Sequence, residues 1–106
     1  MAGAIPSNQS ELMKYYTYHG TKVRLSKEEY HSNGTLAVAM YTQSGELYDV
    51  ITVNLMDGMQ SDSMAYLDVN NHPGIGSWLQ RRGLALPMYY TQRSGFVEYP
   101  LYTIMF

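Results

Sequence analysis

The chain has 106 residues, 45% of them apolar, with seven Lys or Arg against nine Asp or Glu and a net charge of −2. That balance argues against an electrostatic DNA binder, which needs a basic excess, and the apolar share argues against a disordered chain. The absence of cysteine excludes disulfides, thiol catalysis and thiolate-bound zinc.

Residues 1–12 are small and polar and read as a flexible N-terminal tail, which leaves 13–106 as a single domain. No basic n-region or apolar h-region opens the chain, and no run approaches the ~20 apolar residues of a membrane helix. A cytoplasmic protein without a membrane partner is the expectation.

Tyr15, Tyr16 and Tyr18 precede a turn at His19-Gly20, after which residues 22–25 alternate like a strand. Two turn dipeptides suited to positive φ, Asn33-Gly34 and Ser44-Gly45, then punctuate runs over 35–42 and 46–55 rich in Val, Ile, Leu, Tyr and Thr. With Ser44-Gly45 as a two-residue loop, Tyr41 faces Tyr48, Met40 faces Asp49, Val38 faces Ile51 and Leu36 faces Val53. Leu36, Val38, Ile51 and Val53 then share one apolar face, with Tyr41 and Tyr48 on the other. A two-residue loop at Asn33-Gly34 would set Glu29 against Val38, so a bulge or longer loop is needed there.

The helix is predicted over about 72–82: Asn70 or Asn71 as N-cap, Pro73 in the first turn, Gly83 at C′. Ile75, Trp78, Leu79 and Arg82 form its apolar stripe, and Leu84 can touch Leu79 in a Schellman ending. Ser94-Gly95 predicts a further hairpin with Tyr90 opposite Tyr99, and Pro100 implies an edge strand or a bulge. The sum is an α+β fold: a mainly antiparallel sheet of about five to six strands built from hairpins, with one short helix packed on it.

Catalytic patterns are missing. Gly74-Ile75-Gly76-Ser77 lacks the third glycine and distal acid of a dinucleotide loop, so its glycines ease the start of the helix. His19, His31 and His72 have no metal-ligand spacing, and Asp57, Asp62 and Asp68 lack that of a calcium loop. No catalytic residue, metal or cofactor is therefore assigned. Arg81 and Arg82 suit a helix C-terminus, while Arg93 stands beside a turn. The eleven tyrosines offer rings that are apolar with a polar tip, good for contacts on a half-exposed sheet.

Four segments in this order look familiar: Tyr30-His31-Ser32-Asn33-Gly34-Thr35-Leu36, Thr52-Val53-Asn54-Leu55, Asp68-Val69-Asn70-Asn71-His72-Pro73-Gly74, and Arg93-Ser94-Gly95-Phe96-Val97-Glu98-Tyr99-Pro100-Leu101-Tyr102. Over roughly residues 20–105 the chain resembles a family of small uncharacterised bacterial proteins, common in Firmicutes and often carried on mobile elements. The resemblance implies a bacterial cytoplasmic protein and brings no catalytic residues.

The leading expectation is a non-enzymatic accessory protein that binds a macromolecular partner, a protein in the first instance. Its binding surface would draw on Tyr41, Tyr48, Asn70, Asn71, His72, Tyr90, Arg93 and Tyr99. The alternative is a nucleic-acid-associated factor with Arg81, Arg82 and Arg93 on phosphates and Tyr on bases, against which the net charge argues. A small enzyme using Asp49, Asp68, Glu98 or the histidines is third. Edge strands leave a homodimer open.

Overall fold

A computed structural model describes residues 14–106; the tail expected over 1–12 lies outside them. The order is β1 (Tyr16–Tyr18), β2 (Thr21–Glu29), β3 (Leu36–Thr42), β4 (Leu47–Val50), β5 (Thr52–Val53), β6 (Met64–Leu67), α1 (Ile75–Arg81), β7 (Ala85–Ser94) and β8 (Val97–Ile104). The class is the α+β antiparallel arrangement that the alternation implies. Among the described residues eight strands, where one sheet of about five to six was expected, form two sheets, ordered β1-β2-β3-β4 and β5-β6-β8-β7.

The first sheet is a meander whose turns follow the dipeptides. His19 and Gly20 both adopt positive φ, 49° and 81°, which lets Tyr18 pair directly with Thr21. At Asn33-Gly34 the loop is longer than two residues: Glu29 pairs with Leu36 and Lys27 with Val38, so the clash between Glu29 and Val38 never arises. The Ser44-Gly45 hairpin follows the predicted register at Ala39–Val50 and Met40–Asp49. A bulge then sets Tyr41 opposite Leu47 instead of Tyr48. The loop closes through Gly45 N–H to Thr42 O and Thr42 N–H to Glu46 O, one residue wider than the dipeptide alone requires.

Ile51 joins the sheets. Its N–H donates to Val38 O at 2.9 Å, extending the β3–β4 pairing, while its C=O accepts from Asp68 N–H at 2.8 Å beside β6. Val38 and Ile51 accordingly share the core, both with no exposed surface. The expected facing of Leu36 and Val53 does not occur, because β5 leaves β3 to pair with β6: Val53 lies opposite Tyr66 and packs with Leu55 and Leu101. Leu36 N–H turns to Ser61 O instead.

The main core lies between the sheets and α1, holding Val23, Val38, Met40, Ile51, Leu67, Ile75, Leu79 and Ile104. The helix buries Ile75, Gly76, Trp78 and Leu79, and starts at Gly74 in the αL conformation with no side-chain cap. Neither Asn70 nor Asn71 is its N-cap. It ends as the sequence implies: Leu84 N–H reaches Leu79 O, Gly83 N–H reaches Gln80 O, and Gly83 has φ 71°. Gly76 permits a close approach to β8, since a Cβ there would meet the Tyr102 ring, 2.7 Å from its Cζ.

The β7–β8 hairpin differs from expectation by two residues. Ser94 pairs with Val97 across a Gly95-Phe96 loop, so Tyr99 faces Gln92 and not Tyr90. Gly95, with φ 63° at the first loop position, supplies the positive φ a two-residue loop needs. Pro100 does not make β8 an edge: β8 lies between β6 and β7, and its β6 pairing stops at Leu101. Pro100 instead pairs with Thr91 beside an irregularity between Pro87 and Thr91, where Tyr89 takes φ 56°.

Candidate functional site

Among the described residues, two regions gather most of the side chains singled out from sequence. The first is built by the Asp68–Gly74 segment. Asp68 accepts from the backbone and side-chain nitrogens of Asn71, at 3.3 and 2.9 Å, and its carbonyl accepts from His72 N–H at 2.8 Å. This turn projects His72 between the edge strands of the first sheet. His72 Nδ1 lies 3.1 Å from Tyr18 Oη on β1, and Nε2 lies 3.0 Å from Asp49 Oδ2 on β4.

A carboxylate only accepts, so the consistent arrangement has Nε2–H donating to Asp49 and the Tyr18 hydroxyl donating to Nδ1. Tyr18 is enclosed by Tyr48 edge-on at 6.2 Å, Trp78 edge-on at 5.1 Å and His19 stacked at 4.1 Å. Burial pushes its phenol pKa up, and the nearby Tyr48 and Asp49 add to the rise. Trp78 is itself anchored by its Nε1–H to Thr17 O at 3.1 Å.

Phenol, imidazole and carboxylate in line could relay a proton, but both imidazole nitrogens are engaged and the phenol is 2% exposed. The row joins two strand edges, with Tyr18 on β1 and Asp49 on β4 held to one imidazole. Among the described residues no three His, Asp or Glu side chains converge as a metal site would require.

The second region is the β7–β8 hairpin, whose two faces differ. On the outer face Leu86 pairs with Thr103, Met64 pairs with Thr103 from β6, and Thr103 Oγ1 donates to Met88 Sδ. The 54–63 loop crosses this face, fixed by Met59 N–H to Tyr66 Oη and Gln92 Nε2–H to Met56 O. Leu86, Met88, Met56, Met59 and Met105 remain 44–90% exposed. On the helix side, a groove of about 340 Å³ is lined by Gln80, Pro87, Tyr89, Tyr90, Pro100 and Tyr102. Phe96 at the hairpin tip is fully exposed and Tyr89 is 92% exposed.

The structure divides the residues singled out from sequence. His72 and Tyr48 meet at Tyr18, because the bulge beside Tyr41 frees Tyr48 from the Tyr41 pairing. Asn71 holds the turn and Asn70 is exposed beside it. Tyr41 lies apart, bonded to Glu28 with the Arg24 guanidinium 4.6 Å above its ring. Its hydrogen bond to Glu28 raises its phenol pKa most, aided by slight desolvation and the Glu28 charge. Tyr90, Arg93 and Tyr99 belong to the hairpin, with Tyr90 in the groove and Tyr99 packed near Tyr66 and Leu101. Arg93 donates to Glu98 at 2.8 Å, and Arg82 stacks on Trp78 at 4.3 Å. Each of those two cations thus has a protein partner.

Tyr18, Leu86, Met88, Tyr89 and Phe96 were not singled out from sequence. The signal for Leu86, Met88 and Tyr89 was the run 86–90, apolar without alternation, which a half-buried strand would not carry. Tyr18 had no local signal, since its partner lies 54 residues away.

No protein of curated function and no solved structure matches the chain. A family described as "Domain of unknown function (DUF4313)" matches residues 24–106, which takes in Asp49, His72 and the whole β7–β8 hairpin but leaves β1 and Tyr18 outside. With that match covering most of its length, the chain belongs to the DUF4313 family.

Proposed function

We propose that this chain is a non-enzymatic accessory protein, acting in the cytoplasm of a bacterium and belonging to a mobile element, that binds a partner protein through the outer face of its second sheet. The observation that carries the reading is the group of exposed apolar side chains Leu86, Met88 and Met105, joined by Met56 and Met59 of the loop that crosses the same sheet. Large exposed apolar patches on small domains mark contact surfaces, and unbranched methionines adapt to a partner's shape. The engagement of His72 within the protein favours binding over catalysis. The bacterial mobile-element setting is supported by the resemblance of the Asp68–Gly74 and Arg93–Tyr102 segments. No helix among the described residues is long and apolar enough to cross a membrane.

Leu86→Asp and Met88→Asp place charge on this face without touching the buried core. Co-purification from a native host should retain a protein with the unaltered chain and lose it with both variants. Equal retention by variants and parent would refute the assignment of this face.

A further inference from the structure

We infer that the helix-side groove of the β7–β8 hairpin receives Phe96 from a second copy of this chain, pairing two molecules reciprocally about a two-fold axis near Arg93. This surface is opposite the outer face assigned above, so the inference stands independently of that reading.

Three observations converge. First, the hairpin carries both an aromatic knob and an aromatic-lined hole. Phe96 is 100% exposed, and Pro87, Tyr89, Tyr90 and Pro100 line a groove of about 340 Å³. The run from Tyr90 to Phe96 spans roughly 20 Å at strand rise, so a molecule cannot fill its own groove with its own Phe96.

Second, the spacing is self-complementary. Reversing one hairpin on another with Phe96 over Tyr90 puts the two-fold axis at Arg93, midway between them. Arg93 and Glu98 pair across the hairpin on the same face as Thr91 and Pro100. Their side chains are 61% and 53% exposed, so each can engage the other copy's opposite charge, giving two positive and two negative groups at the axis. Such an isologous contact requires one surface to complement itself, which this one does.

Third, the exposed rings supply roughly half to three-quarters of the area that a standard interface uses. Tyr89, Tyr90 and Phe96 are 92%, 43% and 100% exposed. At 150–250 Å² per aromatic side chain they offer roughly 350–600 Å². A standard interface uses about 800 Å² per partner, and Gln80, Pro87, Pro100 and the stems of Arg93 and Glu98 adjoin the rings. Pairing through the β7 edge itself is blunted by Pro87 and by the irregular backbone at Tyr89. Insertion of a side chain needs no free strand edge.

Sedimentation of the full chain from micromolar to millimolar concentration should show a shift from 12.1 kDa to twice that mass. Phe96→Asp and Tyr90→Asp should each raise the dissociation constant about 30-fold or more, as expected for an anchor ring and its pocket. Mixing the two variants leaves one intact knob and one intact hole, so the mixture should dimerise more tightly than either alone. A parent chain that stays monomeric, a dimer indifferent to Phe96→Asp, or a mixture no tighter than its components would overturn the inference. A monomer that still captures a partner protein through Leu86 and Met88 would sink this inference alone. A dimer that captures nothing would sink only the proposed function.

Discussion

Replacing Tyr18 by Phe removes one oxygen from the middle of the fold and tests what His72 does. The lost hydroxyl leaves Nδ1 of a 6%-exposed imidazole without its partner. A buried polar atom deprived of its hydrogen bond costs about 1–3 kcal/mol, and the ring's packing against Trp78 and Tyr48 is retained. The other end of the row differs. Asp49 has a 52%-exposed side chain, so in Asp49→Ala water can replace the carboxylate at Nε2. Solvent screening reduces that loss to about 0–1 kcal/mol. The order is therefore Tyr18→Phe well above Asp49→Ala. Urea unfolding followed by tryptophan fluorescence reads both, since Trp78 abuts Tyr18. The midpoint should fall with an unchanged slope, and each kcal/mol should lower the melting temperature by about 4–8 °C. An Asp49→Ala variant as destabilised as Tyr18→Phe would refute the reasoning, because it would mean that the exposed end carries the row.

Gly76→Ala sets two effects against each other: about 1 kcal/mol gained in helix propensity, and about 1–3 kcal/mol lost by pressing a methyl into the Tyr102 ring. Net destabilisation is expected by thermal unfolding, recovered when Tyr102→Leu removes the ring. Gly83→Ala should cost about 1–2 kcal/mol through strain alone, since φ is 71° and open space surrounds the site; a neutral result would contradict the Schellman ending. Stability should fall as pH rises from about 10, the ordinary tyrosine value. Burial raises the Tyr18 and Tyr30 phenols in the folded protein, so the folded state holds protons that the unfolded chain has released. Their contribution is complete below pH 10 and is lost as pH climbs through the folded values. Alkaline titration of the Tyr18→Phe/Tyr30→Phe variant, monitored by circular dichroism, should show a flatter decline.

Short-range features were legible and long-range ones were not. His19-Gly20 and Gly83 state their backbone conformation in their own identity, and the structure agrees at both. Met40 and Asp49 pair as alternation demands. Beyond that, the bulge beside Tyr41 turns on competition between residues on two strands, and no dipeptide records it. The departure of Val53 to Tyr66 depends on where the chain finds a second sheet, which periodicity cannot express. The site follows the same rule. His72 stood out beside its asparagines, yet its partners lie 54 and 23 residues away. The Asp68–Gly74 segment is architectural, with Asp68 and Asn71 forming the turn, His72 spanning the strands and Gly74 opening the helix.

Ile51 has one consequence for how the molecule comes apart. Because its amide serves one ladder and its carbonyl lies in the next, neither sheet can peel away without cutting the other's last rung. The two halves should melt as one cooperative unit, with the Ile51 and Asp68 amides among the slowest to exchange with deuterium. In the monomer the hairpin tip, held by its own turn and the Arg93–Glu98 pair, lies outside that unit and should exchange at the fast end.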